Sequence, residues 1–422
     1  MLQGVGDYNR LLVLKTIRAH GPISRIELAA ATGLAGATIT DLTGDLVRRG
    51  LITERRQDPS GKGRPRVLLQ VKADAAVVIG ASISPRDTLK ANFSDLAGNV
   101  LHSDEARIGR VRTIAAMAVH YSELLQQMVR AAPIARSDIA MVALSIPAII
   151  DSTRGVVHWV TTLPAQSTPF AAIVAKKLRL PVITENEVDG LARAEHWFGR
   201  RAPRDNFSLV YFGLHIALAS YADGRPHDGV NGISPEFGHV KVAYGDDARP
   251  CYCGARGCLT CYGLIGSVVE LIARRADGMR PFQLDLLDAY HEVIRSAAAG
   301  QARALAIIEA AGTHLGGALA NYINTCDPGH ILILAESPGL PELLRGSLDR
   351  ALKAHALPAI LERTTIAIDA VDSDWRSKGA AALALEHAYT DDEELRARRR
   401  NRRLRRRASK PGSRGRRSKR RR

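Results

Sequence analysis

Long apolar runs are missing from this chain of 422 residues. None reaches the ~18 residues of a membrane-spanning helix, so that class is excluded. Nor does an apolar stretch open the sequence. Asp7 and Asn9 fall where a secretion signal needs its hydrophobic segment, and a cytoplasmic protein is expected. Cysteine is scarce, five residues in all, which argues against a disulfide framework and for a reducing compartment. Acidic residues vanish between Arg396 and Arg422, where 17 of the 59 Lys and Arg lie. Setting those 17 aside leaves 42 basic against 43 acidic residues. The net charge of +16 therefore belongs to one tail. A segment so charged cannot offset its ordering entropy, so 391–422 is expected to be disordered. Such a tail can hold nucleic acid by counterion release, which carries no sequence information. What remains is ordinary for a globular protein: 46% hydrophobic residues and length for two or three domains.

Three of the five cysteines fall within eight positions, Cys251, Cys253 and Cys258, twelve residues beyond His239. Three thiolates and one imidazole make a closed tetrahedral site, the form taken by structural Zn2+. Cys261 stands where a fourth thiolate could replace His239.

Residues 1–70 read as a winged helix-turn-helix. Asp7 is placed to cap a first helix carrying Leu11, Leu12, Leu14 and Ile17 on one face, and Gly21-Pro22 ends it. Ser24 and Glu27 have capping-box spacing, and Gly33 permits a tight turn. A third helix, from about Gly36 to Arg49, turns Ile39, Leu42, Leu46 and Val47 inward and stops at Gly50. Two strands, Leu51–Thr53 and Val67–Leu69, flank a polar loop from Arg55 to Arg66. Thr38 and Thr40 then lie on the helix that enters a major groove. Lys62, Arg64 and Arg66 on the wing meet phosphates or a minor groove.

Beyond Val71 strands alternate with helices. Val77–Gly80, Ala140–Leu144, Val182-Ile183, Ser208–Tyr211 and Ile331–Leu334 are β-rich, whereas Ile114–Met128 and Ala304–Tyr322 have helical spacing. That pattern is α/β. Glu236-x-Gly238-His239 followed by Cys251-x-Cys253-Gly254-x-x-Gly257-Cys258-Leu259 resembles the signature of the ROK family of repressors and sugar kinases. The resemblance spans nearly all of residues 8–390. It implies an actin-like (ribonuclease H-like) pair of lobes closing on a cleft.

Kinases of that family hold ATP with three Gly-rich elements, where backbone N–H groups approach phosphates closely. Their counterparts here are Ser82-Ile83-Ser84-Pro85-Arg86, Gly213-Leu214-His215-Ile216-Ala217 and Leu334-Ala335. One glycine survives among the three, so kinase activity is not expected. The sugar side is better kept. Asn186 matches a family sugar contact, while Glu187 replaces the catalytic Asp with a side chain one methylene longer. Glu236 and His239 match further contacts, His239 being shared with zinc, and Gly229–Gly232 matches the loop leading to them. Thr260 stands in place of a third acidic contact. The turn Ile146–Asp151 with Arg154-Gly155 keeps the first-lobe substrate loop in outline.

The expected molecule is a non-enzymatic transcriptional regulator, most often a repressor, with a carbohydrate or sugar-phosphate effector. A homodimer, or a pair of dimers, would bind double-stranded operator DNA at half-sites about 34 Å or a multiple apart, associated with the nucleoid. Its expected parts are a headpiece over 1–70, a first lobe over 71–184 completed by 375–390, a second lobe with zinc and a dimerisation surface over 185–374, and the tail. The rival expectation is an ATP-dependent sugar kinase bearing a DNA-binding appendage.

Overall fold

The computed structural model describes residues 5–57, 66–199, 201, 205–275 and 283–390. Helix α1 (Val5–His20) begins before Asp7, which instead pairs with Arg10 at 2.7 Å within the first turn. Strand β1 (Ile23–Ser24) leads into α2 (Arg25–Thr32), which opens on a complete capping box between Ser24 and Glu27 and closes on Gly33 at φ 68°. Helix α3 (Gly36–Arg48) buries Ile39, Thr43 and Leu46, while Leu42 and Val47 pack at the edge of the same core. Thr43 was not expected inside. Its hydroxyl donates to the Ile39 carbonyl and accepts from Arg25 Nε at 2.8 Å, which removes the penalty of burial. Strands β2 (Ile52–Gln57) and β3 (Arg66–Val71) form an antiparallel ribbon longer than expected, with β1 on its other edge.

The first lobe is a five-stranded sheet. Its members are β4 (Val77–Ile83), β5 (Thr88–Asp95), β6 (Val100–Arg107), β7 (Ile139–Ile146) and β10 (Val182–Asn186), in the order β10-β7-β4-β5-β6. The hairpin β8 (Ile149–Asp151) and β9 (Val156–Trp159) projects from it, and α4 (Ile114–Ala131) packs with α5 (Phe170–Leu178) on one face. Because β10 runs to Asn186, this sheet reaches two residues past the expected lobe boundary at 184.

Helix α6 (Glu187–Phe198) then carries the chain across to a second sheet. That sheet has the order β13-β12-β11-β14-β15, formed by β11 (Phe207–Phe212), β12 (Ile216–Ala222), β13 (Arg225–Pro226), β14 (His330–Ala335) and β15 (Thr365–Ala370). Helices α7 (Leu264–Arg275), α8 (Gln283–Ala298), α9 (Ala302–Cys326), α10 (Leu340–His355) and α11 (Pro358–Leu361) complete this lobe. The last helix, α12 (Trp375–Thr390), returns to the first sheet. A Cβ on Gly80 of β4 would stand 2.1 Å from the Ala381 amide, and one on Gly379 would stand 1.8 Å from the Gly190 carbonyl. Helices α6 and α12 therefore cross where neither carries a side chain, the closest packing available to two backbones.

The headpiece is docked rather than tethered. Leu11, Leu14 and Ile17 share one buried cluster with Val78, Trp197, Leu385 and Tyr389 of the body. Lys15 Nζ lies 2.9 Å from both Glu386 Oε1 and His196 Nε2, and Arg49 donates to the Tyr389 carbonyl at 3.0 Å. Residue 70 marks a change of fold type along the chain, not a break in packing.

Candidate functional site

The cysteine-rich segment folds into a knuckle. Cys251 N–H donates to the Ala255 carbonyl and Gly254 N–H to the Cys251 carbonyl, at 2.8 and 3.0 Å. Gly254 sits at φ 87°, and Gly257 at φ 77° has no room for a Cβ, which would lie 1.9 Å from the Ala243 carbonyl oxygen. These turns gather His239, Cys251, Cys253 and Cys258 so that their ligand atoms lie within 4.8 Å of one another. Cys253 Sγ is 3.7 Å from Cys258 Sγ, and Cys251 Sγ is 3.6 Å from His239 Nδ1. A tetrahedral ion with bonds of about 2.3 Å to sulfur and about 2.05 Å to nitrogen needs edges of roughly 3.8 and 3.6 Å. The cluster has the geometry to hold a metal ion. Lys241 Nζ donates to Cys258 Sγ at 2.8 Å. Cys261 lies outside the four, its thiol donating to the Pro250 carbonyl at 3.4 Å.

His239 faces two ways. Its Nδ1 edge meets Cys251, while the ring also lines a cavity of about 60 Å3 between the lobes. Asn186, Glu236 and His215 share that lining. Trp159 from β9 and Tyr252 from the knuckle close it, ring centroids 5.6 Å apart. Ligand pockets usually enclose 300–1,000 Å3, so the lobes stand nearly closed. Asn186 caps α6 through Oδ1 and donates Nδ2 to the Ala148 carbonyl at 2.9 Å, tying the first-lobe loop to the start of the helix. The Glu236 carboxylate has no hydrogen-bond or ion-pair partner among the described residues.

Glu187 is not among the side chains lining this cavity. It is buried, paired with Arg376 Nε, and 3.8 Å from His215 Nε2. Arg376 also donates Nη2 to Glu336 at 2.6 Å, and the Tyr211 hydroxyl donates to the same carboxylate oxygen at 2.6 Å. Burial holds the His215 ring below its usual pKa, although Glu187 opposes this. The expectation that Glu187 acts as a direct ligand contact is thus replaced by a place in an ion network. The extra methylene lets its carboxylate reach Arg376. Sequence reasoning missed Arg376, Glu336 and Tyr211, which are remote in sequence and carry no motif.

The same network borders two of the three segments that stand in place of the phosphate loops. The turn between β11 and β12 carries His215, 3.8 Å from Glu187, and Glu336, which directly follows β14, pairs with Arg376. Replacing Arg376 with Met should destabilise the protein by about 3–5 kcal/mol in urea unfolding, because two buried carboxylates lose their shared cation. The triple change Arg376→Met, Glu187→Met and Glu336→Met should recover most of that loss. A single variant as stable as the parent would refute the network's structural weight.

In the headpiece, Thr40 is exposed and its hydroxyl donates to the Gly36 carbonyl at 2.8 Å, leaving it free to accept a bond. Thr38 is half-buried on the same helix, and Gly36, Ala37 and Asp41 complete an exposed leading face. Arg66 is exposed at the foot of the wing, opposite Gln57. Lys62 and Arg64 lie outside the described residues.

Fold and site together define a winged helix-turn-helix headpiece on a two-lobed body of sugar-kinase type. The ROK family profile matches residues 86–387, and a winged helix-turn-helix DNA-binding profile matches residues 7–53. The chain belongs to the ROK family. The xylose repressor of Caldicellulosiruptor bescii is 28% identical over 357 residues, covering 83% of this chain and 88% of that protein. In fold, a crystal structure of a ROK family transcriptional regulator, described as a homologue of the Escherichia coli Mlc protein, aligns with a TM-score of 0.75 at 24% identity, over 93% of this chain and 98% of its own. A ROK family glucokinase from Streptomyces griseus, in complex with glucose and AMPPNP, aligns with a TM-score of 0.58 at 18% identity, over 73% and 99%.

Proposed function

We propose that this chain is a sugar-responsive transcriptional repressor whose kinase-type body has become a sensor. The observation that carries the reading is the exposed leading face of α3, presented by a headpiece packed firmly onto a ROK body. A relative named as a repressor over most of its length supports it. Thr38 and Thr40 read base edges, and Arg66 with Lys62 and Arg64 of the wing hold the backbone or the minor groove. The tail adds affinity through phosphates. As a homodimer, the protein spans two half-sites of an operator in the cytoplasm.

The effector is a carbohydrate seated by Asn186, Glu236 and His239, with Glu187 acting from behind His215. The metal at His239, Cys251, Cys253 and Cys258 is structural zinc: with three thiolates and an imidazole, no open position remains for catalysis. Zinc held by His239 Nδ1 leaves Nε2 for the ligand and orients the ring. Phosphoryl transfer is absent because Arg376 and Glu336 fill the place of a phosphate cradle and Glu187 is held by Arg376 rather than poised as a base.

Sequencing genomic fragments captured by the purified protein tests both halves. A shared motif with twofold symmetry, released by one sugar, is the expected outcome. Fragments without common sequence would refute specific reading. ATP-dependent phosphorylation of that sugar would refute the sensor.

A further inference from the structure

A second cavity, much larger than the one in the cleft, lies elsewhere in the molecule. It measures about 750 Å3 and lies between α1 of the headpiece and the body, with walls from α6, α12 and the segment around β13. That volume is within the range of small-molecule sites, which favour domain interfaces.

The cations around it are already engaged. Lys15 and Arg193 pair with Glu386, Arg193 also with Glu185, and Arg225 lies 4.1 Å from the centre of the Tyr8 ring. Arg18 donates to the Trp197 carbonyl. Three lining carboxylates have no cationic partner among the described residues: Asp189, which only accepts from Ser234, and Asp205 and Asp228. Asp205 and Asp228 are exposed at the rim. Deeper in, Thr184 is 1% exposed and its Oγ1 has no partner. Glu185, 3% exposed, likewise has one unpaired oxygen. A buried hydroxyl and a buried carboxylate oxygen without partners are rare in native interiors and point to a missing donor. Burial first, and then Asp228, push the Asp189 carboxyl up to about 7, with Glu236 adding to the rise and Ser234 and Arg193 opposing it.

We propose that this headpiece–body cavity binds a small cationic effector carrying one or more protonated amines, held by Asp189, Asp205 and Asp228 with Thr184 accepting deeper in. A neutral polyol would satisfy Thr184 but leave the three carboxylates uncompensated. This site is separate from the cleft and does not depend on the cleft holding a sugar. Because α1 forms one wall, occupancy bears directly on how the headpiece is seated.

The test is thermal unfolding and calorimetric titration of the full chain at pH 7.5 and 0.15 M salt, where histidine is mostly neutral. Probes are putrescine, spermidine and D-glucosamine, each beside xylitol as a neutral control. At least one amine should raise Tm by about 3 °C or more with 1:1 stoichiometry. Asp228→Asn, a change at an exposed position, should weaken it at least tenfold. Asp349→Asn, at an exposed position on α10, should leave it unchanged. No shift with any of the three amines overturns the proposal. So does a shift that survives Asp189→Asn with Asp228→Asn, or an equal response to xylitol. Failure here leaves the cleft reading intact, and failure of sugar release leaves this one intact.

Discussion

Replacing Cys258 with serine should reduce bound zinc from about one ion per chain to none, and abolish release of DNA by the effector sugar. Cys258 is fully buried, and its sulfur meets both Cys253 and Lys241. Serine keeps the size but supplies no thiolate, so a three-ligand remnant faces an unpaired ammonium. The knuckle has little else to hold it. Its turns depend on Gly254 and Gly257 at positive φ, and a bound ion would supply most of its core. Since His239 and Tyr252 line the cleft from this knuckle, its loss removes one wall of the proposed effector site. Tryptic cleavage at Lys241 and Arg256 should accelerate, while circular dichroism of the helices changes little. A Cys258→Ser protein that retains stoichiometric zinc and a normal sugar response would contradict the metal assignment.

Deleting residues 391–422 should weaken DNA binding about 100-fold or more near 0.1 M salt while leaving the preference for the operator unchanged. If about half of the 17 basic side chains meet phosphates, the slope of log affinity against log salt should flatten by about 7. The position of the deletion matters. Chain 391–422 departs from the end of α12, where the Tyr389 carbonyl accepts from Arg49 at the end of α3. Competition binding over 0.05–0.3 M salt, with operator and scrambled duplexes, measures both quantities. If operator preference disappears with the tail, the winged helix is not the reader.

Local chemistry was the legible part of this fold. The capping box of Ser24 and Glu27, the stop at Gly33 and the gathering of three cysteines with His239 each depend on residues near in sequence, and each stands in the structure as its spacing implied. The ROK body was legible through its signature, and the structural alignments bear it out. The hairpin β5–β6 was not. In β5 Leu89, Ala91 and Phe93 do alternate with polar residues, but β6 holds five polar or charged residues among its eight and no apolar alternation, so the pair carries no hairpin pattern. The Arg376 network escaped for another reason. Its members Glu187, Tyr211, Glu336 and Arg376 are brought together only by the meeting of the two lobes. Nothing in one sequence records that encounter. The headpiece–body cavity was equally hidden, because its charged residues look like ordinary solvated surface until α1 is docked.

Helix α6 gives the molecule a push-rod. It begins at Asn186, in the wall of the sugar cleft, and ends at Trp197 and Phe198, against which Arg18 of α1 stacks with its guanidinium 5.0 Å from each ring centre. From Gly190 to Phe198 the bar is about 12 Å long, so a tilt of 5° displaces its far end by about 1 Å. The Gly190–Gly379 crossing near its first turn supplies the pivot. A stroke at that end would be passed to α1 through Arg18, at the base of the headpiece.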